Sequence, residues 1–289
     1  MDKMKQILVT GCRGQLGSEL QQLAGAYKEK FQFRFTDYDE LDITDRAAVR
    51  ACVESERPDC IVNCAAYTAV DKAEKEPERC DLLNRVAPGY LAEAVAEQGG
   101  TMIQISTDYV FDGTSFTPYR EDAPAAPCTV YGRTKLAGEE RVILGCPGAM
   151  VIRTAWLYSS FGSNFVKTML RLGREQKELG VVADQIGTPT YARDLADAIL
   201  KILEKGVIPG IYHYSNEGVT SWFDFAHAIH RAAGITEQDC RLKALHTDEY
   251  PTPARRPPYS VLDKTKIKKV FGLTIPWWED SLRDCMDRL

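Results

Sequence analysis

A tyrosine and a lysine four residues apart, Tyr131 and Lys135, lie in the run Thr129-Val-Tyr131-Gly-Arg-Thr-Lys135-Leu-Ala-Gly-Glu139. Residues at this spacing are neighbours on one face of an α-helix, so the phenol and the ammonium can share a pocket. A cation beside a phenol favours the phenolate and draws its pKa down from about 10 towards neutrality. Such a tyrosine can protonate a developing alkoxide, or take the proton from an alcohol in the reverse direction. Of the 13 tyrosines, only Tyr131 has a lysine four residues on. Thr107, in Ser106-Thr107-Asp108, offers a hydroxyl that can share the same substrate oxygen.

The second chemically suggestive stretch is Gly11-Cys-Arg-Gly14-Gln15-Leu16-Gly17. It follows the apolar run Gln6-Ile-Leu-Val-Thr10, which has the character of a strand buried on both faces, and precedes a predicted helix. Glycines between a strand and a helix allow a tight turn and a close backbone approach to a pyrophosphate. The helix N-terminus there presents free N–H groups and the positive end of the dipole to the anion. A second strand, Phe31-Gln-Phe-Arg-Phe-Thr36, ends at Asp37, about 20 residues past the last loop glycine, where an acid can accept bonds from an adenosine ribose. Arg13 and Arg34 pull the other way, since a guanidinium can pair with a 2′-phosphate. NADH and NADPH therefore both remain open.

These groups need a scaffold, and the chain alternates strand and helix through residue 154. Helices are expected over 46–56, with Asp42 and Asp45 as possible N-caps, and over 78–98, interrupted near Pro88. Residues 71–77 read as a charged loop, and 113–127 as an exposed excursion. Strands are expected at 59–66 and 101–106. The pattern predicts an α/β fold, a Rossmann-type doubly wound parallel sheet with a smaller C-terminal substrate-binding region. The division is placed at 1–154 for the dinucleotide unit and 155–289 for the substrate region, with 179–205 returning to the sheet.

Beyond residue 154, Trp156 follows a strand end and is suited either to stacking on a ligand or to a core. Asn164 lies in a polar and aromatic stretch suited to bonding a ligand. Pro251-Thr-Pro-Ala-Arg255-Arg256-Pro-Pro is a proline-stiffened basic segment, able to present Arg255 and Arg256 to a diphosphate or to stand as a solvated loop. His227 and His230 lie three apart on a predicted helix and read as surface histidines rather than metal ligands.

The chain of 289 residues has a formal net charge of −5, which argues against a general nucleic-acid binder. No apolar run reaches membrane-spanning length and the N-terminus has no signal-peptide pattern, so a cytoplasmic protein is expected. Nine scattered cysteines with no C-x-x-C pair point to reduced thiols and to neither a disulfide framework nor a zinc site.

Taken in order, Thr10-Gly-x-x-Gly-x-x-Gly17, Val62-Asn-x-Ala-Ala66, Ser106-Thr-Asp108 and Tyr131-x-x-x-Lys135 resemble the extended short-chain dehydrogenase/reductase family. Within it, Ala65-Ala-Tyr-Thr-Ala-Val-Asp-Lys-Ala-Glu74, Ser106-Thr-Asp-Tyr-Val-Phe-Asp-Gly113, Asp184-Gln-x-Gly-x-Pro-Thr190 and Tyr250-Pro-Thr-Pro-Ala-Arg-Arg-Pro257 are similar to the family of dTDP-4-dehydrorhamnose reductases. The resemblance implies reduction of the C4 ketone of a dTDP-sugar to dTDP-L-rhamnose by NADPH or NADH, a step of carbohydrate and cell-wall polysaccharide biosynthesis. It makes Tyr131 the proton donor, Lys135 the ribose contact that lowers the Tyr131 pKa, and Thr107 a partner of the same hydroxyl. It places Gly14, Gln15 and Leu16 at the pyrophosphate, and Asp37, Asp42 and Ile43 around the adenosine. Ala66, Tyr67 and Thr68 follow along the cofactor, with Asp108 and Trp156 on the sugar nucleotide. Tyr67 departs from the histidine common in the family. The resemblance also implies a monomer or homodimer and raises Mg2+, for which the sequence offers no complete acidic cluster. Competing readings are an epimerase or dehydratase with tightly held NAD, and a non-catalytic subunit of the same fold, which would be expected to lack Tyr131 or Lys135.

Overall fold

The computed structural model describes residues 4–289. Strand β1 (Lys5–Thr10) leads into helix α1 (Gln15–Ala24), then β2 (Phe31–Thr36), α2 (Arg46–Glu56) and β3 (Cys60–Asn63). A helical stretch beginning at Pro77 ends in α3 (Ala87–Glu97), followed by β4 (Thr101–Thr107), α4 (Val130–Gly145) and β5 (Met150–Thr154). The remaining elements needed here are α5 (Phe165–Glu175), α6 (Ala192–Lys205), β6 (Gly210–His213) and α7 (Trp222–Ala232).

Six strands form one parallel sheet in the order β6-β5-β4-β3-β1-β2. Side chains alternate across it. Ile7 and Val9 join Leu16, Leu20, Leu195 and Ile199 of α1 and α6 in one core, while Leu8 and Ile61 join Val49, Leu91 and Val142 in the other. The sheet is thus covered on both faces, as the doubly wound reading requires. Chain direction switches between β1 and β3, and in such sheets ligands bind outside the carboxyl ends of the strands at that point. Tyr158, Val166, Tyr191, Phe225 and Trp278 build a separate core for the later part of the chain.

The segment 179–205 divides. Its strand, Glu178–Val182, pairs with Arg241–Leu245 in a small separate sheet, and only α6 returns to the central sheet. The returning strand is β6, whose Tyr212 and His213 are buried, whereas the strand at Glu178–Val182 begins exposed and is unsuited to a two-face burial. The expected interruption near Pro88 is also not a break. The helix continues through a wider π-type turn at Leu82–Val86, which accommodates a residue that lacks an N–H and whose ring would press on the carbonyl four residues back. Residues 71–77, expected as a loop, contain part of one helical turn, Val70–Ala73. His230 is buried, with Nε2 at 3.2 Å from the Met169 carbonyl, while His227 stays exposed. His230 faces inward because Gly173 leaves room for its ring.

All nine cysteines are free thiols, and Cys128 is exposed. Among the described residues no helix is long and apolar enough to cross a membrane.

Helix α4 crosses the π-type turn at Gly138, where a Cβ would overlap the Asn84 carbonyl oxygen. Gly138→Ala is therefore expected to destabilise the protein by about 3 kcal/mol, the upper end for overpacking a filled site. Urea unfolding measures this, and a midpoint unchanged from the parent protein would show that the two helices are free to separate.

Candidate active site

The N-terminus of α4 is tied down before its functional face begins. Thr129 Oγ1 accepts from the Gly132 amide at 2.9 Å, and Glu74 accepts from the Val130 amide at 2.8 Å. Tyr131, Lys135 and Glu139 then follow at four-residue spacing, on one face of the helix. Lys135 Nζ donates to the Ile105 carbonyl of β4 at 2.6 Å. One turn on, Glu139 accepts from the Ser106 hydroxyl of the same strand. Glu139 also takes Arg153 of β5 in a two-pronged pair, Nη2 to Oε2 at 2.7 Å and Nε to Oε1 at 3.0 Å. Lys135, Glu139, Arg153 and Ser106 are all buried.

The Tyr131 ring packs against the small cluster of Tyr67, Ala73 and Cys80, and meets Tyr109 edge-on with ring centroids 5.5 Å apart. Burial pushes its hydroxyl well above the ordinary tyrosine range, and the neighbouring Thr107 hydroxyl opposes that shift. Burial likewise lowers Lys135 to about 8, with Glu139 the main group opposing it. The Lys135 ammonium is engaged with the Ile105 carbonyl, and burial of the Tyr131 ring sets the direction of its shift. Tyr131 is held as a neutral phenol, the form that donates a proton. Asp108, also buried, is raised to about 6 by burial against the Ser260 and Thr107 hydroxyls. Its Oδ1 accepts from Thr107 Oγ1 at 3.0 Å, and its Oδ2 has no partner.

The glycine loop lies at the carboxyl end of β1. Gly11 has φ +68°, and a Cβ there would come within 2.6 Å of the Ala65 amide nitrogen, so only glycine fits between the loop and the segment after β3. Gly17 packs just as closely on Gly11 and Cys12. Gly14 caps α1 with no side-chain bond and little around it, and the first turn carries no acid. The cradle thus offers uncapped amides and open space to an anion, which is what a dinucleotide pyrophosphate needs. Asp37 sits beside it and accepts from the Arg13 amide at 2.8 Å and the Tyr38 amide at 2.9 Å. Arg13 is engaged by Asp39 and Glu40, each at 2.5 Å, and Arg34 lies 3.7 Å from Glu56. Asp42 accepts from the Thr44 amide and hydroxyl at 2.9 and 2.7 Å, and Ile43 is buried against Leu8 and Val49.

Ala66, Tyr67 and Thr68 continue from β3 past this cradle and are braced by Asn84. Its Oδ1 accepts from the Tyr67 amide at 2.9 Å, and its Nδ2 donates to the Tyr67 carbonyl at 3.1 Å and to Thr134 Oγ1 of α4 at 3.3 Å. Asn84 was not among the predicted site residues. Its signal was a lone amide among apolar helix positions just ahead of Pro88.

Trp156 has φ +48°, a left-handed backbone rarely adopted by a bulky side chain. Its indole stacks on Trp222 with centroids 3.6 Å apart, and Gly187 leaves room for its edge. Ser260, buried beside Asp108 and Gly187, is a second residue that sequence reasoning missed, and nothing in its local pattern marks it. Arg256 is half-buried and engaged by an acid. It pairs with Asp71 through bonds of 3.0 and 2.8 Å and holds that carboxyl below the usual range, while Arg255 is exposed. Asn164 caps α5 through a 3.1 Å bond from the Lys167 amide, and its Nδ2 donates to Gln15 Oε1 at 3.0 Å. It therefore touches the glycine loop. Among the described residues no group of three or more acidic, histidine or cysteine side chains could hold a metal ion.

A family model described as the RmlD substrate binding domain matches residues 4–289. The chain belongs to this family. It is 45% identical to a dTDP-4-dehydrorhamnose reductase of Mycolicibacterium smegmatis over 99% of this chain and 86% of the relative. A solved dTDP-4-dehydrorhamnose reductase from Clostridium acetobutylicum superposes with a TM-score of 0.92 at 42% identity, over 98% of both chains. One from Bacillus anthracis, solved in complex with NADP, gives 0.94 at 38% identity, over 99% of this chain and all of that one.

The buried Glu139 and Arg153 pair generates a stability test for this RmlD-family chain. Glu139→Met or Arg153→Met alone strands a buried charge and is expected to cost about 3–5 kcal/mol. The combined Glu139→Met, Arg153→Met protein should lose less than the sum of the two single replacements in a urea double-mutant cycle. Additive losses would show that the two side chains are not coupled.

Proposed function

We propose that this chain is an NAD(P)H-dependent oxidoreductase that reduces the C4 ketone of dTDP-4-dehydro-L-rhamnose to dTDP-L-rhamnose. The observation that carries the reading is a half-buried phenol, Tyr131, beside the Thr107 hydroxyl and one turn from Lys135, at the carboxyl ends of a parallel sheet with an open glycine cradle. The family membership and the names of its relatives support it.

When bound, the reduced nicotinamide supplies the hydride. Gly11, Gly14, Gln15, Leu16 and Gly17 hold the pyrophosphate through backbone amides, and Asp37, Asp42 and Ile43 surround the adenosine. Ala66, Tyr67 and Thr68 line the seat further along, and Lys135 holds the nicotinamide ribose. The region from 155 to 289 supplies most of the sugar-nucleotide seat, with Trp156 and Asp108 against the sugar. As negative charge develops on the C4 oxygen, Tyr131 gives it a proton. The tyrosinate left behind is stabilised by the Lys135 ammonium and the Thr107 hydroxyl. A positioned acid of this kind raises the rate by about 100- to 10,000-fold.

Tyr131→Phe is expected to keep cofactor affinity while turnover falls at least about a hundredfold. The assay follows NADPH and NADH absorbance with dTDP-4-keto-6-deoxy sugars and their UDP counterparts. Near-normal turnover in the variant would dismiss Tyr131 as the acid, and purified protein that carries stoichiometric nicotinamide and leaves NADPH unoxidised would favour an epimerase.

The pH profile follows from Lys135. Because burial lowers its pKa to about 8, the ammonium is present below that value and is lost as the pH rises through it. kcat/KM is therefore expected to fall above about pH 8, and Lys135→Arg, which stays charged, to flatten that limb in whatever activity it retains. An identical alkaline limb in the arginine variant would assign the titration to another group.

A further inference from the structure

The segment that leaves β5 does not stand apart from the glycine loop. Trp156 is followed by Leu157, whose carbonyl accepts from Gln15 Nε2 at 3.4 Å, while Gln15 Oε1 accepts from Asn164 Nδ2 at 3.0 Å. The same amide donates to the Ser159 carbonyl at 2.7 Å, and the Ser159 hydroxyl donates to Glu19 of α1 at 2.6 Å. Gly162, with φ +63°, folds the segment back so closely that a Cβ there would lie 3.2 Å from Gln15 Cγ. Residues 157–164 are thus stitched to the first turns of α1, the part of the molecule that offers its uncapped amides to a pyrophosphate. At the other end of this stitch stands Trp156, held in its left-handed backbone by a 3.1 Å bond from the Thr190 amide to its carbonyl and by the stack on Trp222.

We infer that Gln15 and Asn164 form a positioning pair that couples occupation of the pyrophosphate cradle to the affinity of the sugar-nucleotide seat, by fixing the segment that carries Trp156. The inference rests on the reading of the chain as a reductase that holds both ligands at once. A ligand that orders the N-terminus of α1 orders Gln15, Gln15 orders residues 157–164, and the second ligand then meets a Trp156 already in place. By linkage the effect is reciprocal: the sugar nucleotide must tighten the dinucleotide by the same factor. Asn164 serves this role with its amide nitrogen only, because its oxygen is used to cap α5.

The test separates this relay from direct contact between the two ligands. ADP-ribose, with its 2′-phosphorylated form as a second probe, fills the pyrophosphate seat without a nicotinamide to touch the sugar. Calorimetry on the full chain measures the Kd of dTDP-L-rhamnose with and without it. A tightening of about fivefold is expected, the lower end for coupled sites. Asn164→Ser keeps an N-cap oxygen but cannot reach Gln15, and Gln15→Met removes both side-chain bonds at similar length. Each should bring the ratio of the two Kd values close to one, whatever it does to the affinity for either ligand alone. A merely structural role would change the melting temperature and leave the ratio intact, which would overturn the inference, as would a parent protein with no coupling. If Asn164→Ser does not fold, Gln15→Met decides alone. If the parent protein binds neither NADP(H) nor dTDP-sugars, the reductase reading itself fails, and the inference falls with it.

Discussion

The arrangement depends most heavily on the buried Glu139 and Arg153 pair. Two full charges lie beneath the site, with side chains 2% and 4% exposed, and such a pair gains little stability over an apolar replacement. Its consequence here is geometric. Glu139 shares a helical face with Lys135 and Tyr131, and it reaches both Ser106 of β4 and Arg153 of β5. Lys135 reaches Ile105, the residue before Ser106. Helix α4 is therefore bolted to adjacent residues of one strand by adjacent turns of one face, which leaves neither its rotation nor its register free. The phenol at the end of that face inherits the position.

The opposite flank is fixed by a different device. The π-type turn ahead of Pro88 places Asn84 between the segment after β3 and α4, where one amide bonds both main-chain groups of Tyr67 and the Thr134 hydroxyl. A regular helix with a proline at that position would have its ring against the Asn84 carbonyl. The wider turn removes that conflict, and Gly138 lets α4 lie against the result. Helix geometry, a proline and a glycine combine to hold Tyr131 against the small cluster that contains Tyr67.

What was legible in the sequence is what repeats with short period. β2 and α2 lie where alternation and capping place them, with Asp45 accepting from the Ala47 and Ala48 amides as the cap. The glycine loop and the Tyr131 and Lys135 pair were legible because their chemistry needs a particular spacing. The rest depends on contacts between distant residues. Asn164 read as a ligand contact but meets Gln15, 149 residues earlier in the chain. Arg256 read as a candidate for a diphosphate but pairs with Asp71, 185 residues away. Ser260 has no local signature at all. The strand at Glu178–Val182 read as part of the central sheet because its composition is strand-like, and composition does not choose a partner.

The direction of the Tyr131 shift is set by burial, which helical spacing does not encode. A lysine four residues away suggests a stabilised phenolate, but the same burial that brings the two groups together removes the water each charged form needs. It raises the phenol and lowers the amine, so two pKa values that are close in water are driven apart, each towards its neutral form. For a group that must donate, a raised pKa keeps the proton in place until a stronger base appears, and an alkoxide is such a base. A lysine brought to about 8 keeps its charge near neutrality while Glu139, one turn away, supports that charge. In the proposed reduction, the cation would act mainly after the proton has left, when the phenolate is the species that needs a counter-charge. A single desolvated cleft sets the acid before transfer and its stabiliser after it, and it does so without requiring the tyrosine to be ionised at rest.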